Sequence, residues 1–145
     1  MEKVITLGCD HIGLLLKEPI KNYLKEVGYE LFDVGTYDDI SVDYPQFAKE
    51  ACKKINSDLC NTVLLFCGTG VGMSIAANKM KGIRAVVCSE PYSAKMAKEH
   101  NDANVLCLGS RVIGVELAKT IVDAWLIAEF EGGRHEVRVD MFEKY

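Results

Sequence analysis

Little in this chain points to metal, disulfide or membrane chemistry. None of its six cysteines (Cys9, Cys52, Cys60, Cys67, Cys88, Cys107) forms a C-x-x-C pair, and its histidines number three, His11, His100 and His135. The paired-ligand spacing of a structural zinc site is therefore missing. No apolar run approaches the roughly 20 residues that a membrane span requires. Met1-Glu2-Lys3 leads straight into a strand-like segment without a signal-peptide pattern. Reduced thiols in a cytoplasmic protein are the expectation. Excess positive charge is also lacking: the formal net charge is −4, which argues against nucleic-acid binding. The chain shows no linker, repeat or low-complexity stretch. Its 145 residues, 49% hydrophobic and 26% charged, suit one globular domain with a real core.

What is present alternates between two periodicities. Apolar strand-like runs occur at Val4–Leu7, Tyr29–Val34, Val63–Phe66, Ile83–Val87 and Val105–Leu108. Helical stripes lie between them. Ile20, Tyr23, Leu24 and Val27 share one face; so do Phe47, Ala48, Ala51, Cys52 and Ile55; Ala118, Ile121, Val122 and Trp125 form a third. Pro45 and Pro91 suit first-turn positions, whereas Pro19 predicts a helix start or kink near it. Strands alternating with helices give an α/β fold with a parallel sheet and helices on both faces. Ligands in such sheets bind beyond the carboxyl ends of strands. Those ends carry Gly8-Cys9-Asp10-His11, Gly35-Thr36, Cys67 with its loop, Cys88-Ser89-Glu90 and Gly109-Ser110-Arg111.

The densest motif is Cys67-Gly68-Thr69-Gly70-Val71-Gly72-Met73, an apolar run closing on a thiol, then glycines, then a short helical pattern. Glycines admit close approach of backbone N–H groups to an anion, and a helix N-terminus adds positive dipole. A thiol there is placed for thiolate chemistry, although free cysteine is also a common buried residue. The spacing is G-x-G-x-G; a dinucleotide fingerprint puts its third glycine at Met73, and nucleotide binding or a plain tight turn stay open as readings. Asp10-His11 either caps the next helix or faces a ligand. His100 either caps a helix C-terminus or carries protons. Arginine is scarce, four (Arg84, Arg111, Arg134, Arg138) against thirteen lysines. Arg134 and Arg138 share a face if Arg134–Glu143 is helical, and serve either phosphate oxygens or salt bridges with Glu131 or Glu136.

Seven segments taken together resemble the type B ribose-5-phosphate isomerases. They are Gly8-Cys9-Asp10-His11, Asp43-Tyr44-Pro45, Cys67 to Gly72, Ser74 to Lys79, Gly82-Ile83-Arg84-Ala85, His100 to Asn104 and Gly132-Gly133-Arg134-His135. The resemblance extends to a wider sugar-phosphate isomerase family that includes galactose-6-phosphate isomerase subunits. It implies a Rossmann-like three-layer sandwich with a five-stranded parallel sheet, and interconversion of D-ribose 5-phosphate and D-ribulose 5-phosphate through a cis-enediolate. It implies neither metal nor organic cofactor. It also implies a homodimer or dimer of dimers with sites shared between subunits, residues 134–143 packing on a partner. By the same resemblance Cys67 is the proton-transfer base, and Met73 or Ser74 stands near the place where other members carry a glutamate. His100 helps open the furanose ring and Thr69 supplies a loop hydroxyl. Asp10, Tyr44 and Asn101 contact the sugar, and His11, Arg111, Arg134 and Arg138 bind phosphate. The N–H groups along Gly68, Gly70, Gly72 and Met73 are left for the enediolate oxygen. The alternatives are a six-carbon substrate, allose 6-phosphate or galactose 6-phosphate, or a non-catalytic nucleotide-binding module.

Overall fold

The apolar runs form five parallel strands, and the amphipathic stripes form the helices that cover them. The computed structural model describes residues 3–145; Met1 and Glu2, where the signal-peptide pattern was sought, lie outside the described residues. In chain order the elements are β1 (Val4–Cys9), α1 (Leu14–Val27), β2 (Glu30–Asp33), α2 (Tyr44–Asn56), β3 (Thr62–Cys67) and α3 (Val71–Asn78). They continue with β4 (Ala85–Val87), α4 (Pro91–Asn101), β5 (Val105–Gly109), α5 (Val115–Ile127) and α6 (Arg134–Phe142). The sheet order is β2-β1-β3-β5-β4, all parallel. The chain steps outward from β1 to β2 and then returns to place β3 on the other side of β1. The crevice beyond the carboxyl ends of β1 and β3 is therefore the topological switch point, where ligands bind in such sheets.

Alternation along the strands separates two cores. Ile5, Leu7, Leu64, Phe66, Leu106 and Leu108 face Leu16, Ile20 and Leu24 of α1, Ala94 and Ala97 of α4, and Ile121 and Trp125 of α5. Val63, Leu65, Cys67, Val105 and Cys107 face Ala48 and Ala51 of α2 and Met73 and Ala77 of α3. All six residues of β3 are buried, as expected for a central parallel strand covered on both sides. Among the described residues no helix is long and apolar enough to cross a membrane.

Several expectations shift. The expected second strand, 29–34, narrows to β2, and the fourth, 83–87, narrows to the three residues of β4. Pro45 and Pro91 do lie in the first turns of α2 and α4. Pro19 neither starts nor ends its helix: α1 begins five residues earlier and continues past it. Leu16, Ile20 and Leu24 are almost fully buried on both sides of Pro19, and that packing outweighs the lost backbone hydrogen bond. Val27, read as part of the same stripe, is 57% exposed at the helix end. The C-terminal helix stops at Phe142, with Glu143 as its C-cap.

Candidate active site

Three strand-end loops meet at the switch point and are tied to one another. Asp10 donates its N–H to the Phe66 carbonyl at 3.2 Å. Ser110 donates its N–H to the Cys67 carbonyl at 2.9 Å, and Arg111 donates its N–H to the Gly68 carbonyl at 3.0 Å. The Ser110 hydroxyl reaches the Ile12 carbonyl at 2.8 Å and the Cys67 carbonyl at 3.3 Å. The loops after β1, β3 and β5 thus form one platform.

Cys67 ends β3, 5% exposed, and its Sγ accepts the Gly70 N–H at 3.1 Å. Gly70 sits at φ 82°, a left-handed conformation that turns its amide back toward the sulfur and starts α3 at Val71, inside the glycine stretch. The Thr69 hydroxyl is exposed and accepts the Val71 N–H at 3.2 Å. As at any helix start, the first-turn N–H groups of Gly72 and Met73 lack carbonyl partners in their own helix. The Met73 side chain is fully buried against the sheet, so the third position of a dinucleotide fingerprint is core here, not a phosphate turn. Tyr44, the first residue of α2, packs against Gly72: a Cβ there would stand 2.6 Å from the ring. Only glycine lets the aromatic ring form that wall.

Asp10 is 6% exposed, and its Oδ1 accepts the N–H groups of Ile12 at 3.0 Å and Gly13 at 2.8 Å. It therefore caps its loop with one oxygen and leaves Oδ2 for a ligand. His11 Nδ1 accepts the Val42 N–H at 3.2 Å, which places the ring hydrogen on Nε2. His11 and Arg111 line a cavity of about 330 Å³ together with Ile12, Leu14, Asp39 and Ser110. The Arg111 chain passes over Gly68: a Cβ built there would stand 3.7 Å from Cδ. Two of the four expected phosphate ligands are thus brought together a short step from Cys67.

A buried ammonium steadies the neighbouring loop. Lys17, with a fully buried side chain, donates to Asp33 Oδ1 at 2.8 Å and to the Thr36 carbonyl at 2.6 Å, while Lys21 donates to Asp33 Oδ2 at 2.8 Å. Burial alone would push the Asp33 carboxyl up; hydrogen bonds from Lys17, Lys21 and Gly35 outweigh it and hold the group below its ordinary value. Thr36 in turn donates its N–H to the Cys9 carbonyl at 2.8 Å.

The remaining expected residues stand elsewhere. The Asn104 carbonyl accepts from Val63 at 3.0 Å, so the chain entering β5 lies level with the start of β3. His100 and Asn101, at the end of α4, belong to that amino edge. Cys67 is four residues further along β3, about 13 Å away along the strand. Arg134 and Arg138, on α6, share the edge with His100, because the His135 ring stacks on His100 with centroids 4.2 Å apart and planes 9° apart. Both arginines are exposed, and none of the ion pairs found among the described residues joins them to Glu131 or Glu136. The expected site residues therefore fall into two separate groups. Asp10, His11, Tyr44, Cys67, Gly68, Thr69, Gly70, Gly72, Met73 and Arg111 gather at the carboxyl edge, and His100, Asn101, Arg134 and Arg138 at the amino edge. Sequence reasoning named Ser110 only at a strand end, Glu131 only as a salt-bridge candidate and His135 only within a motif; it missed Ser110 as a loop tie, Lys17 as a buried clamp, and Glu131 and His135 as neighbours of His100.

Comparison with known proteins covers nearly all of this geometry. The Ribose/Galactose Isomerase family matches residues 5–142. Ribose-5-phosphate isomerase B of Escherichia coli (strain K12) is 55% identical over 138 residues, which is 95% of this chain and 93% of that protein. Galactose-6-phosphate isomerase subunit LacB of Clostridium acetobutylicum is 43% identical, covering 88% of this chain and 74% of that one. The solved structure of Clostridium thermocellum ribose-5-phosphate isomerase B superposes with a TM-score of 0.96 at 51% identity, covering 97% of this chain and 95% of that one.

Proposed function

The chain belongs to the ribose/galactose isomerase family, and from that membership we propose that it interconverts D-ribose 5-phosphate and D-ribulose 5-phosphate. The observation that carries the reading is Cys67, held at the switch point with the Gly70 N–H on its sulfur and an Arg111–His11 cavity beside it.

The pentose arrives closed, so its ring must open before C2 can lose a proton. His100 serves that step, because imidazole exchanges protons near neutral pH. Cys67 then takes the C2 proton. The electron pair released forms the C1–C2 double bond of the enediolate, and negative charge develops on oxygen. The N–H groups along Gly68 to Met73 stabilise that charge, each strong donor contributing roughly 3–4 kcal/mol in comparable sites. Cys67 returns the proton to C1 on the same face of the planar intermediate, while the O2 hydroxyl proton passes to O1, which leaves C2 as the ketone and C1 as the hydroxymethyl carbon. Thr69 offers its hydroxyl beside the base, and Asp10, Tyr44 and Asn101 hold the sugar. His11, Arg111, Arg134 and Arg138 grip the phosphate, whose binding energy positions the reacting end. No metal or organic cofactor enters these steps.

The two half-sites point to assembly. A second copy supplies His100, Asn101, Arg134 and Arg138 to the Cys67 of the first, and the exchange is reciprocal in a two-fold dimer. Val71 and Ile75, one turn apart on α3 and 47% and 58% exposed, give an apolar surface beside the glycine loop for that contact. We therefore read residues 1–145 as one domain working as a homodimer or dimer of dimers, with α6 packing on the partner. Six buried cysteines that pack as thiols fit a reducing compartment, the cytoplasm.

A six-carbon substrate is the second reading, favoured by the likeness to the LacB subunit. The test is a turnover panel of ribose 5-phosphate, allose 6-phosphate and galactose 6-phosphate with chelator present. The expected result is the highest kcat/KM for ribose 5-phosphate, unchanged by chelator. Preference for a hexose phosphate transfers the assignment to the second reading, and chelator-sensitive turnover overturns the metal-free scheme.

A further inference from the structure

A single carboxylate faces two stacked histidines at the amino edge of the sheet. Glu131 lies in the connection between α5 and α6, and its N–H donates to the Glu99 carbonyl in the last turn of α4 at 3.0 Å. Its backbone is thus fastened to the helix that carries His100. Its Oε1 stands 3.6 Å from His100 Nε2, and its Oε2 stands 3.7 Å from His135 Nε2. His135 is 7% exposed, and its Nε2 is buried without a hydrogen-bond partner. Both distances exceed hydrogen-bond length, so in the free chain the carboxylate acts by charge and direction; such contacts tighten when substrate closes the site.

The two imidazoles do not share Glu131 equally. Burial, together with the neighbouring His100, Arg134 and Arg138, pushes the His135 ring below its ordinary pKa and outweighs the opposing pull of Glu131. On α4, Lys95 and Glu99 pair with each other at 3.8 Å. That push favours the neutral form of the His135 ring, while Glu131 also reaches His100 Nε2 at 3.6 Å. The near-parallel rings cannot both aim an in-plane lone pair at one ion, so the three side chains are not a preformed metal site.

We propose that Glu131, backed by the His135 ring, is a positioning residue that holds the His100 imidazole by its Nε2 and leaves Nδ1 to face the sugar. A carboxylate on one nitrogen of a histidine fixes its orientation while the other nitrogen carries protons, the arrangement used wherever a third group orients a catalytic base. The inference rests on the assignment of His100 to ring opening. That step breaks the C1–O4 bond and forms the C1 carbonyl. His100 delivers the proton that O4 gains, and the C1 hydroxyl proton leaves to water.

Ribulose 5-phosphate has no free hydroxyl with which to close a furanose ring, so only the aldose direction needs His100 for opening. Initial rates in the two directions therefore separate positioning from general damage. Glu131→Gln is expected to lower kcat from ribose 5-phosphate about tenfold while the rate from ribulose 5-phosphate stays within about twofold. His135→Phe, which keeps an aromatic ring against His100, is expected to lose less than His135→Ala in the aldose direction. Equal loss in both directions for Glu131→Gln, or no loss in either, overturns the inference. His100→Asn is measured alongside and is expected to cut the aldose direction about a hundredfold. If it leaves that rate unchanged, the ring-opening assignment itself fails; if it does not, a silent Glu131→Gln sinks the positioning role alone.

Discussion

Cys67 differs from the other thiols of this chain in what faces its sulfur. Burial pushes Cys9 and Cys88 up to about 11 and Cys52 to about 12, and raises Cys107 as well, so these side chains remain protonated apolar filling. Cys67 has a backbone N–H on Sγ instead, and opens onto the loops that carry Asp10 and Arg111. Cys67→Ala is expected to lower kcat for ribose 5-phosphate by about 10²–10⁴ with little change in KM, since the phosphate ligands stay in place. Steady-state formation of ribulose 5-phosphate checks it, and near-normal turnover removes Cys67 from the reaction. This residue was legible in the sequence because a strand end followed by glycines is a local pattern. Glu131 and His135 were not, because their meaning comes from His100, some thirty positions earlier, and only the packing of α6 on α4 brings them together.

Elements were legible where pattern and burial agree. The five strands and the helices on both faces follow from apolar runs and helical stripes that the structure reproduces, and the first-turn prolines of α2 and α4 stand where expected. Pro19 does not start its helix, because local propensity is weaker than the burial of Leu16, Ile20 and Leu24 around it. Lys17 was invisible for the opposite reason. A lysine in a helical stripe reads as solvated, and only the arrival of the β2 end turns it into a buried cation with Asp33 and the Thr36 carbonyl as partners. Breaking such a pair leaves a charge without compensation, so Asp33→Ala is expected to destabilise the fold by about 3–5 kcal/mol in urea unfolding at pH 7. The pH dependence follows from the sign of the shift. The Asp33 carboxyl is held below its ordinary value, so its stabilisation is full above the unfolded-state value and disappears as pH falls through the lower folded-state value. The acid limb of the wild-type stability profile should flatten in Asp33→Asn. An unchanged limb shows that the pair contributes nothing across that range.

At the scale of the whole molecule, the proposed dimer would make activity a property of pairs. Cys67→Ala chains lack the base but keep His100, and His100→Asn chains lack the ring opener but keep Cys67. Unfolded together, refolded and allowed to pair at random, they should form mixed dimers in half of the cases, each with one intact site. About a quarter of wild-type specific activity is then expected from two inactive parents. No recovery, with mixed dimers demonstrated by mass spectrometry, places a complete site within each chain. The platform under the Cys67 half behaves differently, because its ties run between the three innermost strands. Ser110 holds the carbonyls of Ile12 and Cys67 at once, so the loops after β1, β3 and β5 cannot breathe one at a time. Amide protons at Ser110 and Arg111 should exchange with solvent only through global opening. On warming, the enzyme would then keep its catalytic geometry until the sheet itself melts.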